Sequence, residues 1–250
     1  VCFNQLVKTQ SLPVLYQDND LVVVNKCSGL LVHRSAIDRH ATEFAVQMVR
    51  DQLGRKVYPV HRLDRPTSGA LIFALSPDSA RFLTNEFANT RVQKTYLAVV
   101  RGTPPTEVVV DYALKEDLDA KSDSMARTDK AAQNAVTAFA KLGTYEFSVA
   151  VDKFPTSRYS LVRATPKTGR KHQIRRHLRH LGHPIIGDVR YGSGKHNRFF
   201  RDKFKTDRLL LACTSLAFQH PKGHELQVQA PLADEFRQVI HSLGWSDHVD

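Results

Sequence analysis

His61-Arg62-Leu63-Asp64-Arg65-Pro66-Thr67-Ser68-Gly69 runs directly into Ala70-Leu71-Ile72-Phe73-Ala74-Leu75, so one carboxylate stands between two guanidinium side chains and in front of a continuous apolar run. A bounded apolar run of this length reads as a buried strand. Arg62 and Asp64 are two residues apart, which in an extended segment sends both side chains to the same side, while Arg65 is placed to crowd the carboxylate from its other neighbour. Positive charge on both sides favours the ionised carboxylate, which suits a nucleophile or a base and not a proton donor. Pro66 and Gly69 shape the turn, and Thr67 and Ser68 can hydrogen-bond its backbone. The competing reading is a loop aspartate that only anchors two arginines.

Upstream, Pro13 to Asp20 and Leu21 to Lys26 read as two strands joined at Asp18-Asn19-Asp20, after a tail over residues 1–11. Leu30 to His33 reads as a third short strand, Thr42 as the N-cap of a helix ending at Gly54, and Val57 to Val60 as a short strand. Downstream, Ser76-Pro77-Asp78 supplies an N-cap, an N1 proline and an acidic first turn for a helix reaching Ala88. Arg91 to Gly102 forms a strand with Tyr96 in its middle, and the polar residues 103–130 read as a long surface excursion. Ala135 to Leu142, Tyr145 to Val151 and Arg158 to Thr165 alternate as three further strands.

The second informative stretch runs from Thr168-Gly169 through Arg170-Lys171-His172-Gln173-Ile174-Arg175-Arg176-His177-Leu178-Arg179-His180 to Pro184. Ile174, Leu178 and Leu181 make one narrow helical stripe, and nearly everything else is basic or amide. Arg175 and Arg179 share a face beside the stripe, and so many cations with so few acidic neighbours point to phosphate rather than to a merely solvated face. His172, His177, His180 and His183 raise the question of a metal, which the surrounding cations and the lack of a carboxylate or cysteine in register argue against. Tyr191-Gly192-Ser193-Gly194 lacks the lysine ending of a phosphate-binding loop and reads as a turn that can touch RNA, so no nucleotide cofactor is expected. Arg208 to Phe218 and Glu225 to Gln229 are closing strands, and Pro231 to Leu243 a last helix with Pro231 at N1.

Strands outnumber helices about two to one by this count, giving an α+β protein built on a large mixed or mostly antiparallel sheet with flanking helices and loops. The 250 residues, 42% hydrophobic, suffice for one core, and one catalytic domain over residues 12–250 is expected. Lys and Arg number 36 against 25 Asp and Glu, a net charge of +11 that favours a polyanionic partner, nucleic acid before membrane. No apolar run approaches the roughly 18 residues of a spanning helix and no signal-peptide pattern is present, so a cytoplasmic protein is expected. Cys2, Cys27 and Cys213 are too scattered for a disulfide framework or thiolate zinc, and Cys27 reads as a small buried hydrophobe.

The residues of the opening stretch resemble the catalytic motif of the RluA-type pseudouridine synthases, with Asp64 at the position of the essential aspartate. Three further elements carry the resemblance: Asn25-Lys26-x-Ser28-Gly29-Leu30-Leu31-Val32-His33, with Cys27 where a proline is more usual; Lys94-x-Tyr96; and Gly169-Arg170-x-His172-Gln173-Ile174-Arg175 with Ile185-Ile186-Gly187-Asp188 behind it. The resemblance implies the pseudouridine synthase fold over roughly residues 13–230, with no separate RNA-binding domain in front. It implies cleavage of uridine's N1–C1′ bond, rotation of the uracil and rejoining through C5, without metal or cofactor. It gives Asp64 the nucleophilic or base step, has Arg175 hold it ionised, stacks Tyr96 on the uracil with a further part in proton loss from C5, and has Arg62 fill the gap left by the flipped base. Arg65, Lys94, Arg170, Lys171, Arg176 and Arg179 are the accompanying candidates for RNA contact. His33-Arg34-Ser35, Arg65-Pro66 and Lys195 to Phe199 are most similar to the branch that modifies uridine 65 of tRNA, with ribosomal RNA as the alternative substrate. A non-catalytic RNA-binding protein or chaperone would need the basic helix but not Asp64. A metal-dependent nuclease would need clustered carboxylates, which the sequence does not offer.

Overall fold

Ser68–Ala74 (β4) is buried along its whole length, as a strand must be when both faces of its sheet are covered. The computed structural model describes residues 11–33, 42–115 and 131–249. Besides β4 these hold Val14–Gln17 (β1), Leu21–Lys26 (β2), Tyr58–Pro59 (β3), Gln93–Arg101 (β5), Glu107–Asp111 (β6), Val136–Phe147 (β7), Ser157–Pro166 (β8), Leu211–Gln219 (β9) and Glu225–Gln229 (β10). They form one sheet in the order β1-β2-β4-β9-β5-β8-β7-β6, with β3 also on β4 and β10 also on β9. Every pairing is antiparallel except that of β4 with β9, where Ser68 faces Ala212 and Gly69 faces Cys213. Gly69 has φ +113°, and a Cβ there would lie 2.0 Å from the Cys213 carbonyl oxygen, so only glycine lets these two strands meet.

Alternation along β5 shows how the layers are divided. Tyr96, Ala98 and Val100 join the larger core, shared with Ala45 and Val49 of the helix Ala45–Leu53 (α1), Leu83 of Pro77–Ala88 (α2), and Ile174 and Leu178 of Gln173–His180 (α3). Leu97 and Val99 point the other way, into a second core with Phe200 of Gly194–Phe204 (α4), Phe236 and Ile240 of Asp234–Ser242 (α5), Tyr159 and Trp245. The mixed α+β sheet expected from the sequence is the one observed, and α2 spans the expected residues, capped by Ser76, whose hydroxyl accepts from Ser79 N at 3.1 Å.

Several local readings are corrected. The expected turn is present at Tyr191 and Gly192, and the helix α4 that follows it from Gly194 was not foreseen, because the basic residues around Phe200 disguise its core face. The two strands expected around residue 143 are one, β7, whose register slips between Lys141 and Gly143, where a glycine leaves room for the Trp245 indole. The strand does not continue to Val151, since residues 148–156 form bends. Leu30 to His33 makes only a single bridge, between Leu31 and Phe44. Helix α1 is capped by Phe44 without a side-chain bond, not by Thr42, and α5 begins at Asp234, after Ala233, leaving Pro231 outside it. Residues 103–130 are not wholly irregular, because β6 pairs with β7 and Leu114 bridges Gln133. Residues 116–130, like the tail at 1–10 and Arg34 and Ser35, lie outside the described residues. Cys27 is exposed rather than buried.

Lys26 closes β2 and is fully buried. Its Nζ donates to the carbonyls of Cys27 at 2.9 Å, Leu30 at 2.8 Å and Arg65 at 3.1 Å, which uses all three donors of an ammonium and ties the 27–30 turn to the residue after Asp64. Burial pulls this lysine down to about 7 from an ordinary 10.5. The unfolded chain therefore holds the proton more tightly, and the penalty for burying the charge is full below about pH 7 and fades as pH rises toward 10.5. Lys26→Met is expected to cost at least about 3 kcal/mol by stranding these carbonyls, and to reduce the rise of stability with pH across that window. Urea unfolding of both proteins at a series of pH values measures both effects.

Candidate active site

The loop between β3 and β4 carries His61 to Thr67 and is held from several sides. Thr67 N donates to Asp64 O at 3.0 Å, Ser28 Oγ to Pro66 O at 2.7 Å, and Gly29 N to Arg65 O at 2.9 Å. The Arg65 guanidinium does not crowd the carboxylate as the spacing predicts. The clamp turns the chain at Arg65, and its Nε donates to Gly29 O at 3.0 Å. Arg62 forms no ion pair with Asp64 either; it is exposed at the cleft rim. Among the described residues the ion-pair partners of Asp64 are Arg175, with Nη1 at 3.3 Å, and His172, with Nε2 at 3.9 Å, both on Oδ2.

Arg175 does not face phosphate. Its Nε and Nη2 fork onto Asp188 at 2.8 and 3.0 Å, while Nη1 reaches Asp64. Burial works against the charge of Arg175, but the bonds and charges of Asp188 and Asp64 outweigh it and hold the guanidinium above its ordinary value. For Asp188 the balance is the same: burial opposes ionisation, and the Arg175 fork with the amides of Tyr191 and Arg190 holds the carboxyl below its ordinary 3.8. Asp188 was legible only as part of the Ile-Ile-Gly-Asp run, because nothing in a single sequence says that a carboxylate 13 residues on will return to the helix.

Asp64 opens into a cleft of about 590 Å³, large enough for a nucleotide. Tyr96, Lys94, Arg62, Arg170, Lys171 and Arg175 also line it, whereas Arg65, Arg176 and Arg179 do not. Arg170 is exposed, with Nε on Asn134 O at 3.1 Å. Arg176 donates to Lys115 O at 2.9 Å and Arg179, which is exposed, to Tyr191 O at 2.9 Å. Lys94 is 8% exposed, a floor residue rather than a surface cation, and burial lowers its pKa. Burial beside the Cys213 thiol raises the Tyr96 hydroxyl well above its ordinary value, and the thiol is itself pushed up to about 12 by burial. His61 accepts from Ile72 N at 3.0 Å and stacks on Phe87, and burial lowers it to about 3, so it is a neutral wall.

The four histidines of the basic stretch do not gather. His177 is buried against Thr137 Oγ1 and Tyr112 O, His180 stacks on Tyr112, and His183 bonds Arg101 O. His172 alone joins the cleft, with Nδ1 2.9 Å from the Tyr191 hydroxyl. Gln173 anchors the start of α3, accepting from Thr168 Oγ1 and Arg170 N and donating to Val136 O and Thr137 Oγ1. Asp18, Asp20 and His220 cluster elsewhere. There His220 Nδ1 accepts from Lys222 N and its Nε2 lies 2.9 Å from Asp18 Oδ2, while the Lys222 ammonium pairs with Asp20 and already supplies a positive charge to the cluster.

This fold is that of RNA pseudouridylate synthase domains. The human RNA pseudouridylate synthase domain containing 4 superimposes with a TM-score of 0.70 at 26% identity, covering 93% of each chain. The human domain containing 1 gives 0.67 at 22% identity over 95% of this chain and 96% of that one, a likeness of fold. The chain belongs to the RNA pseudouridylate synthase family, whose sequence profile matches residues 20–180. It is 49% identical over 239 residues to the tRNA pseudouridine synthase C of Vibrio cholerae, covering 95% of this chain and 98% of the relative. The protein of that name from Pasteurella multocida is 48% identical over 236 residues, 94% and 97% of the two chains. The protein is thus an isomerase acting on uridine in RNA. Among the described residues no helix is long and apolar enough to cross a membrane.

Asp188→Asn leaves Arg175 a buried cation short of its fork and is expected to cost about 3–5 kcal/mol. Since the folded carboxyl lies below its ordinary 3.8, the stability it contributes is present above that value and is lost as pH falls through the folded one. Denaturant titrations from neutral to acid pH should show the variant losing less of its stability on acidification than the wild type.

Proposed function

We propose that the protein converts a uridine of tRNA to pseudouridine, at position 65, with Asp64 as the reacting carboxylate. The observation that carries this reading is Asp64 on Arg175 at the mouth of a basic cleft that fits one nucleotide. The tRNA assignment is supported by near-complete coverage of relatives named tRNA pseudouridine synthase C. We place the protein in the cytoplasm with its substrate, acting as one catalytic domain over residues 12–250.

A base inside a helix cannot reach a carboxylate on the protein, so the target nucleotide leaves its stack at a cost of a few kcal/mol. Arg62, exposed at the rim, fills the gap with a planar cation that can stack on the neighbouring bases. Arg170 and Lys171 hold phosphates beside the opening. Inside, Tyr96 lies against the uracil face and His61 on Phe87 closes the wall. Asp64 performs the nucleophilic or base step that frees the uracil from C1′. Arg175, itself neutralised by Asp188, holds the carboxylate in place through its Nη1. The uracil turns over and C5 takes the place of N1 on the sugar.

Asp64→Asn should fold and bind tRNA normally, since the amide oxygen still accepts from Arg175. It should release no tritium into water from tRNA labelled at uracil C5, where the wild type does. Pseudouridine mapping of total tRNA and rRNA from cells with and without the gene identifies the target: a tRNA mark that disappears is the expected result, and a missing rRNA mark instead would overturn the substrate assignment.

A further inference from the structure

Breaking the bond between N1 and C1′ leaves its electron pair on the detached uracil, whichever step Asp64 performs. The pair spreads from N1 to the ring oxygens O2 and O4 and returns to the sugar when C5 bonds C1′; the C5 hydrogen then leaves to water and N1 takes a proton. In a buried site that passing negative charge needs a cation aimed at it. Most cations of the site are committed elsewhere. Arg175 is bound to two carboxylates, and the Lys26 ammonium has all three donors on carbonyls. Arg62 and Arg170 are exposed at the mouth.

Lys94 is different. It lines the cleft and is only 8% exposed, yet its ammonium has no hydrogen bond or ion pair with any described residue. Burial lowers its pKa, and the groups whose charges would bear on it, the Cys213 thiol and the His61 ring, are held uncharged. A buried ammonium without a counter-charge costs stability, and the fold carries that cost on the strand that presents Tyr96. Two residues apart on β5, Lys94 and Tyr96 leave by the same face, ~7 Å from one another along the strand. We infer that Lys94 is a catalytic residue whose ammonium holds a uracil oxygen and stabilises the negative charge that gathers there while the base is detached from the sugar. The turning of the base suits a single fixed cation: half a turn about the line through N3 and C6 exchanges N1 with C5 and, with them, O2 with O4. The lysine thus meets one ring oxygen before the turn and the other after it. It acts through charge and hydrogen bonding, gives up no proton and needs no other reactant. A phosphate contact fits this position less well, since the RNA backbone stays at the mouth and only the flipped base reaches the floor.

This inference rests on the isomerase reading of the cleft and adds one role to it. The experiment combines three measurements on the wild type, Lys94→Met and Lys94→Gln: the single-turnover rate of pseudouridine formation at saturating tRNA, the tRNA affinity over a range of salt, and urea unfolding of the free protein. Lys94→Met is expected to slow the saturated rate by about 10²-fold or more while leaving the affinity and its salt dependence at wild-type values. It should unfold at the same urea concentration or a higher one, because it removes a buried unpaired charge. Lys94→Gln keeps a donor without the charge, and its saturated rate should fall between the two, which keeps the test available if the methionine variant folds poorly. Saturated rates at the wild-type level would overturn the charge-stabilising role. A loss confined to affinity, with a weaker salt dependence, would overturn it in favour of a phosphate contact, and slower variants that are also less stable would overturn it in favour of a structural lysine. A wild-type protein that forms no pseudouridine would overturn the isomerase reading itself and this inference with it.

Discussion

Arg175 is shared between two carboxylates, and the site depends on how unequally it is shared. A buried guanidinium must be neutralised, and Asp188 does so with a two-bond fork in the least exposed part of the site. The third nitrogen is left for Asp64, whose side chain is 19% exposed and so open to a substrate. Arg175 and Asp188 together carry no net charge. The same Asp188 oxygen that accepts from Arg175 also caps the amides of Arg190 and Tyr191, so the loop after α3 is fixed by the pair that orients the carboxylate.

The sheet makes this pairing possible. Asp64 and Arg175 are 111 residues apart, and what brings them together is the insertion of β9 between β4 and β5. Asp64 precedes β4, Tyr96 lies on β5 across from Cys213 of β9, and α3 packs Ile174 and Leu178 on the same face of the sheet. Helices α4 and α5 cover the opposite face, so strands buried on both sides hold the cleft walls in place. The approach of β4 to β9 at Gly69 is a close backbone joint in this arrangement, five residues from the carboxylate.

The cleft separates two electrostatic tasks. Its mouth is basic and solvated, where Arg62, Arg170 and Lys171 can meet phosphate without a large desolvation cost. Deeper in, burial holds His61 neutral and Tyr96 and Cys213 protonated and lowers the pKa of Lys94.

Much of this could be read along the chain. The apolar run after Asp64, the Ser76-Pro77-Asp78 start of α2 and the stripe on α3 are local patterns of burial and capping, and local patterns survive in a linear text. Residues whose placement depends on distant partners were misread: Arg65 turns away from the carboxylate because Gly29 comes up beside it, α4 hides a core face among basic residues, and Lys94 sinks into the floor. The sequence by itself determined the class of sheet, the positions of the strands around the Asp64 loop, the basic character of α3 and the family they resemble, because periodicity, turn chemistry and charge are properties of neighbours in the chain. Only the tertiary structure decided which charges pair, since that Arg175 belongs first to Asp188, and that His172 joins the cleft, follows from where the strands cross and what they bury.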